Sequence, residues 1–434
     1  MRFLFLFLLF SSNLLLATEG DPLKPLAGTH GRTEDQPLGS DALLREILAS
    51  HPELAFYEAE IAAAKAGRAG AGALARPEVA VELGRKRVRD VTGAVAGEGE
   101  VWSISVTQTF EWPGRLGLRK AIANTQVQLA ELGLARFRQA LEARARTLLY
   151  GLHAAQAKAD AVAEVAGRFA ALKQTFLARE PAGISPELET RVIEASELAL
   201  QRRAAEADLE VQAALLELNQ LRGASPGHAL RVAARPVRFG DIPDDATLVG
   251  AARENNFDYR IRRSEIEQQS GEVRLARHER RPSISVSPYA SQENAGERES
   301  TVGVAVSLPL PGGARGRSEI GVAEARQRQA EIALVVAERE LERNVRLTAQ
   351  TVRVKAEAAA RTATNSLQRF REAAELADRH FRLGAVPVGT YVEMQHSYLE
   401  AVEALLANER DALEAGLKLQ QLTGLTFEVA EVAP

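Results

Sequence analysis

Val101-Trp102-Ser103-Ile104-Ser105-Val106-Thr107-Gln108-Thr109-Phe110 runs straight into Glu111-Trp112-Pro113-Gly114-Arg115. Trp102, Ile104, Val106 and Phe110 alternate with Ser103, Ser105, Thr107 and Thr109. That period of two predicts a strand with one apolar and one hydroxyl-bearing face. Two settings produce such a strand: half of a soluble sandwich, or the wall of a transmembrane barrel around a wet interior. Ten residues suffice to cross a bilayer at a tilt, and small hydroxyls suit a watery lumen. The membrane setting is the better fit. Trp102 and Phe110 with Trp112 then mark the two rims of an aromatic girdle.

Working outward, Val79, Val81 and Leu83 alternate in the same way just upstream, after the helix-breaking Pro77. The pattern then returns in the second half of the chain. Residues 42–81 align without gaps to residues 247–286, matching Glu60-Ile61 to Glu265-Ile266 and Arg76-Pro77 to Arg281-Pro282. Ile104-Ser105-Val106-Thr107 matches Val304-Ala305-Val306-Ser307, and Leu218–Gly223 matches Leu419–Gly424. A repeat this long is a duplicated domain, not a solenoid. Strands are expected at 78–85, 101–110, 283–290 and 301–310, with Gly- and charge-rich hairpin tips at 86–100 and 291–300. Four strands are too few for a transmembrane barrel, which starts at about eight, and lipid does not tolerate open sheet edges. Several chains must share one barrel: two would supply eight strands, three twelve.

The rest reads as helix. A first helix is expected from Asp41 to Ala75, with Asp41, and in the repeat Asp244 or Asp245, as N-caps. Long helices follow at 115–179 and 316–383. In the first, apolar residues from Leu141 to Phe176 recur at four-three spacing, broken only by Lys173, which is the pattern of a packed helix seam. Turns at Gly183-Ile184-Ser185-Pro186 and Gly384-Ala385-Val386-Pro387 lead into return helices. The expected organisation is a signal peptide at 1–17, an extension at 18–40, a first repeat at 41–223, a linker at 224–243, a second repeat at 244–424 and a tail at 425–434. The fold class is mainly α with a small β part: an elongated α-helical barrel capped by a shared transmembrane β-barrel.

Composition agrees and narrows the function. The 434 residues are 46% apolar, 26% charged and 5% aromatic, with formal net charge −4 and no cysteine. A near-neutral balance argues against a nucleic-acid binder. Without cysteine there is no disulfide, thiolate metal site, cysteine nucleophile or N-terminal lipid anchor. Met1-Arg2 followed by a short apolar run ending near Ala17 reads as a secretory leader. None of the seven histidines pairs with another at a ligand spacing. Gly312-Gly313-Ala314-Arg315-Gly316 lacks the Gly-Lys-Ser/Thr ending of a phosphate loop. No catalytic constellation, cofactor site or metal site is expected, and the chain is not read as an enzyme.

The chain resembles the outer-membrane factor family, the TolC-like exit ducts. The residues carrying this are His51-Pro52-Glu53-Leu54, the Val106–Arg115 stretch, Phe381-Arg382-Leu383-Gly384-Ala385-Val386-Pro387 and Leu419-Gln420-Gln421-Leu422-Thr423-Gly424, in this order on a duplicated frame. Phe110-Glu111-Trp112-Pro113-Gly114-Arg115 looks most like the heavy-metal branch, the cobalt–zinc–cadmium and copper–silver subunits. The resemblance implies a homotrimer with a twelve-stranded barrel in the outer membrane and a periplasmic helical tunnel. Its partners would be a periplasmic adaptor and a proton-driven inner-membrane exporter. The two turns, Gly183, Ile184, Ser185, Pro186 and Gly384, Ala385, Val386, Pro387, would be the adaptor contacts. Glu180, Glu187, Glu189, Asp378 and Glu393 near them could form a gating ring of carboxylates under three-fold symmetry. For Glu187 and Glu189 a helix-dipole role is the stronger reading. Metal cations are the first cargo, organic solutes or a secreted polypeptide the alternatives. The rival class is a soluble coiled-coil scaffold.

Overall fold

The computed structural model describes residues 38–177, 186–233, 240–309, 313–361 and 364–426. The signal segment, most of the extension and most of the tail lie outside the described residues. So do Glu180, Gly183, Ile184 and Ser185 of the first turn.

The first half opens with β1 (Leu38–Gly39), α1 (Ser40–Ser50) and α2 (Pro52–Ala71). A hairpin follows, β2 (Glu78–Arg89) and β3 (Val95–Phe110), then α3 (Arg115–Leu177) and α4 (Pro186–Arg222). The second half repeats the order. It has β4 (Val232–Ala233), α5 (Asp245–Asn255), α6 (Phe257–Glu279), β5 (Ile284–Asn294), β6 (Arg298–Ser307), α7 (Gly313–Arg361), α8 (Thr364–Arg382) and α9 (Val388–Thr423). The 63 residues of α3 rise about 95 Å.

Three expectations are corrected. The helix expected over Asp41–Ala75 is two helices. Pro52 opens α2 and drives His51 into an extended conformation, where its ring accepts the Glu53 N–H. The same break recurs before α6, where the Asn256 side chain caps the Tyr259 N–H. Asp41 is not a cap but sits inside the first turn of α1; Asp244 is the true cap of α5. Finally, the strands run past their expected tip-side ends, so the loops shrink to 90–94 and 295–297. Charge pairs, Lys86 with Glu293 and Arg87 with Glu98, hold the extra rungs. Gly99 is required there: a Cβ would lie 1.0 Å from the Asn294 carbonyl oxygen. These rungs are charged and Gly-rich, so they carry no apolar alternation to read.

The four long strands form one antiparallel meander, β2-β3-β5-β6. The register sets Val81 opposite Ile104, Leu83 opposite Trp102, Phe110 opposite Ile284 and Val306 opposite Val286. Opposed residues share a face, so all the apolar positions lie on one side. Pro288 lacks an N–H and interrupts the β3–β5 ladder between Ser105–Tyr289 and Gln108–Val286.

Below the sheet the helices pack side by side, α2 on α3, α3 on α6 and α6 on α7. Farther along, α4 packs on α3, α3 on α9, and α9 on α7 and α8. Both rows therefore end in α7 or α8 on one side, and in α2 or α4 on the other. Three of the four buried clusters among the described residues bind several helices each. One joins α1, α3 and α4 through Ile47, Leu152 and Leu218. Another joins α5, α7 and α9 through Leu248, Val345 and Leu419. The third joins α3, α4, α8 and α9 through Phe169, Ile193, Ala374 and Tyr391.

Candidate functional site

Two regions carry the chemistry of this chain: the sheet and the helix quartet beside the α8–α9 turn.

In the sheet the usual burial is inverted. Leu83 is 82% exposed, Val81 61%, Val304 63% and Val302 85%. Along β3, Ser103, Ser105, Thr107 and Thr109 are half-buried, while Trp102, Ile104, Val106 and Phe110 are exposed. The hydroxyl face is knitted across strands. Thr107 and Ser287 hydroxyls lie 2.8 Å apart, Thr109 and Ser285 3.0 Å, and Ser103 donates to Glu82 at 3.2 Å. On the same face the Tyr289 ring covers Gly303 of the neighbouring strand. A water-soluble sheet buries its apolar side; this one presents it.

The exposed apolar face has limits. Beyond Leu83 and Trp102 the same face turns to Arg85, Arg87, Glu98 and Glu100. From Trp102 to Phe110 the strand rises about 27 Å, or about 21 Å of height at a tilt of ~40°, near the ~25 Å apolar band of an outer-membrane barrel. Trp102 is therefore the upper edge of the band in mid-strand, not the end of the hairpin. Among the described residues β2 and β6 have no strand on their outer sides. Among the described residues no helix is long and apolar enough to cross a membrane.

At the turn, Gly384 ends α8 in the left-handed region at φ 73°. The Ala385 N–H reaches the His380 carbonyl and the Gly384 N–H the Phe381 carbonyl, both at 2.9 Å, closing a Schellman motif. Pro387 then caps α9, and Val388 tucks into the core. Glycine ends α4 and α9 in the same conformation, at Gly223 and Gly424.

Of the expected rim acids, Asp378 is engaged by Arg382 one turn on, at 2.9 Å. Glu393 is exposed and Glu189 partly so, and neither has an ion pair among the described residues. Pro186 and Glu187 open α4. Glu180 lies outside the described residues.

The residues that do converge were not foreseen. Arg168 on α3 donates to Glu164 at 2.7 Å and to Gln395 of α9 at 3.2 Å. Arg371 of α8 donates to Glu164 at 3.3 Å. Gln395, fully buried, donates to the Ala374 carbonyl at 2.8 Å. The network ties three helices, and Glu164 holds the Arg371 guanidinium protonated above its ordinary range. One signal was present: Gln395 interrupts the buried line of Val388, Tyr391, Tyr398 and Val402 at helical spacing.

Tyr391 lies against Phe169 and Phe381, ring centroids 5.0 and 5.3 Å away. Its hydroxyl is buried with no hydrogen-bond partner among the described residues. Burial, then the Asp378 carboxylate, pushes this phenol well above its usual range, so it stays neutral. Tyr391→Phe should raise stability by about 1 kcal/mol, because an unpaired buried hydroxyl is removed. Tyr391→Ala should cost about 3–5 kcal/mol through the cavity it leaves. Chemical unfolding followed by far-UV circular dichroism checks both; a destabilised phenylalanine variant would mean that the hydroxyl is satisfied.

Residues 248–425 match the family model described as outer membrane efflux protein. A search of curated proteins finds no match. Among solved structures, CusC superposes with a TM-score of 0.71 at 14% identity, covering 88% of this chain and 91% of that one. The CmeC outer membrane channel of Campylobacter jejuni gives 0.70 at 15%, covering 91% and 87%. The MtrE outer membrane channel of Neisseria gonorrhoeae gives 0.70 at 14%, covering 89% and 88%. The chain has the fold of these outer-membrane channels. The family match falls within the second half, but the fold match spans both.

Proposed function

We propose that this chain is one subunit of a homotrimeric outer-membrane exit duct, a passive conduit in an efflux system. The observation that carries the reading is the sheet: an exposed apolar face of membrane height, a hydroxyl face opposite, and two open edges. Water disfavours the first, and lipid forbids the last unless neighbouring copies pair with β2 and β6. Three copies make twelve strands. The same edges carry α2 and α4 on one side and α7 and α8 on the other, so the helical wall closes by the same head-to-tail contact. Exposed Leu198, Leu209 and Leu216 on α4, and Ile332, Val336 and Leu347 on α7, suit such a seam.

In this proposal the α8–α9 turn, with Gly384, Ala385, Val386 and Pro387, meets a periplasmic adaptor, as does the turn at Gly183–Pro186. The adaptor links the duct to a proton-driven inner-membrane exporter. Opening moves α8 and α9 away from α3 at this end, and so must break the Arg168–Glu164–Arg371–Gln395 network. A two-state shift of this kind needs a partner that favours the open form. Asp378 is committed to Arg382, and Glu180, Glu187, Glu189 and Glu393 are the proposed members of an acidic ring. Heavy-metal cations are the proposed cargo, supported by the Phe110–Arg115 stretch. Among the described residues no cluster of His, Asp or Glu could hold a metal ion, so the chain conducts and its partners select.

Membrane fractionation tests the reading. The protein should appear in outer membranes as a heat-dissociable trimer, and its loss should sensitise cells to cadmium, zinc, cobalt or copper ions. Recovery only as a soluble monomer would refute the duct. Sensitivity to organic solutes alone would refute the cargo.

A further inference from the structure

At the helix-side ends of β2, β3 and β5 the connections are tied together by hydrogen bonds. Gln108 donates to the Ala75 carbonyl at 2.9 Å, tying the α2–β2 turn to β3. Arg115 donates to the Arg281 carbonyl at 2.7 Å and to that of His278 at 3.3 Å, tying the β3–α3 corner to the end of α6. Arg280 lies against Gly316 at the start of α7. The result is a belt around the base of the sheet.

This belt carries exposed arginines, with the carboxylates of Glu78 and Glu279 among them. Arg76, Arg280, Arg281 and Arg317 are exposed and have no ion pair among the described residues. Arg115 is spent on carbonyls, and Arg119 on Glu111. The Arg281 guanidinium sits 5.6 Å over the Trp112 ring, and that ring is itself exposed. At the opposite end of the sheet Lys86 pairs with Glu293 and Arg87 with Glu98, while Arg85 and Arg89 are exposed with no ion pair among the described residues. The guanidiniums of Arg76, Arg280, Arg281 and Arg317 stand immediately below the apolar band.

We infer that this belt binds the phosphate headgroups of anionic phospholipids in the leaflet facing the helices. The inference rests on the membrane-spanning reading of the sheet. Three features fit that ligand. Guanidiniums bind phosphate in a bidentate fork. Trp112 is an aromatic ring suited to the headgroup level. The belt adjoins Phe110 and Ile284, the last apolar rungs, where acyl chains give way to headgroups. The bond is electrostatic and geometric; no covalent step is involved.

The test uses the full-length protein purified in detergent. Short-chain phosphatidylglycerol, the zwitterionic phosphatidylcholine of equal chain length and inorganic phosphate are each titrated against the thermal midpoint of the assembled protein. Phosphatidylglycerol should raise the midpoint saturably, and the other two should not. Changing Arg76, Arg280, Arg281 and Arg317 to glutamine should weaken half-saturation about fivefold per guanidinium removed, and the four lysine changes should restore most of it. Equal responses to the two lipids, or an unaltered response in the glutamine variant, would overturn the inference. Inorganic phosphate matching the lipid would overturn the lipid assignment. If the glutamine variant fails to assemble, the wild-type comparison of the two lipids still decides. Absence of the protein from outer membranes bears on the duct reading and is scored separately by fractionation.

Discussion

Val304→Arg is expected to abolish most assembly into heat-dissociable trimers. Val304 is 63% exposed in one chain, opposite Pro288 and near the middle of the apolar band. In a water-facing sheet an exposed valine exchanged for arginine changes stability by less than about 0.5 kcal/mol. On the lipid face of a barrel near the midplane the same change costs about 2–4 kcal/mol. In the proposed trimer the penalty recurs in every copy. The two environments thus predict opposite results from one substitution. Ala305→Ser, one residue along on the hydroxyl face, should leave assembly unchanged. The measurement is the fraction of trimer on gels run without heating, after refolding into lipid vesicles. Wild-type assembly of Val304→Arg would remove the sheet from the bilayer and favour a soluble scaffold.

Much of this fold could be read from the sequence, and the failures have physical causes. Alternation identified the faces of all four strands because the sheet keeps its apolar residues on one side throughout. The strand ends were missed because the rungs near the hairpin tips are charged and Gly-rich and have no apolar face. Their pairing depends on Gly99 passing close to Asn294 and on Lys86 meeting Glu293, partners 207 residues apart in the chain. The helix break at His51-Pro52 was legible from the proline rule and was passed over in favour of one continuous helix. The Schellman end at Gly384 followed from its glycine and the proline beyond. The buried network was not legible, since Arg168 and Gln395 are 227 positions apart and each alone resembles an ordinary polar helix residue. Asp378, read as a gate acid, has its partner at the ion-pairing spacing of one helical turn. That spacing was in the sequence, and the pairing lowers its value as a free charge at the rim.

Gly384→Glu should abolish efflux-dependent resistance while leaving trimers intact. The position lets the two effects be separated. Its φ of 73° costs a non-glycine residue about 1 kcal/mol, small beside the core that fixes α8 on α9 through Ala377, Val388 and Tyr391. No heavy atom lies within 4 Å of where a Cβ would stand, so the new side chain projects into open space. The fold should tolerate the change, and what it alters is the surface of the turn. In a trimer it places three extra carboxylates on the surface proposed to meet the adaptor, where a buried unpaired charge is strongly disfavoured. Gly384→Asn is the control for strain, because asparagine accepts the left-handed conformation without adding charge; it should export almost as the wild type does. The readouts are metal-ion resistance in cells lacking the native chain, trimer content in outer membranes, and cross-linking to the adaptor. Loss of resistance in both variants would assign the effect to backbone geometry at the turn. Wild-type resistance in Gly384→Glu, with the trimer present, would show that the adaptor does not dock on this turn.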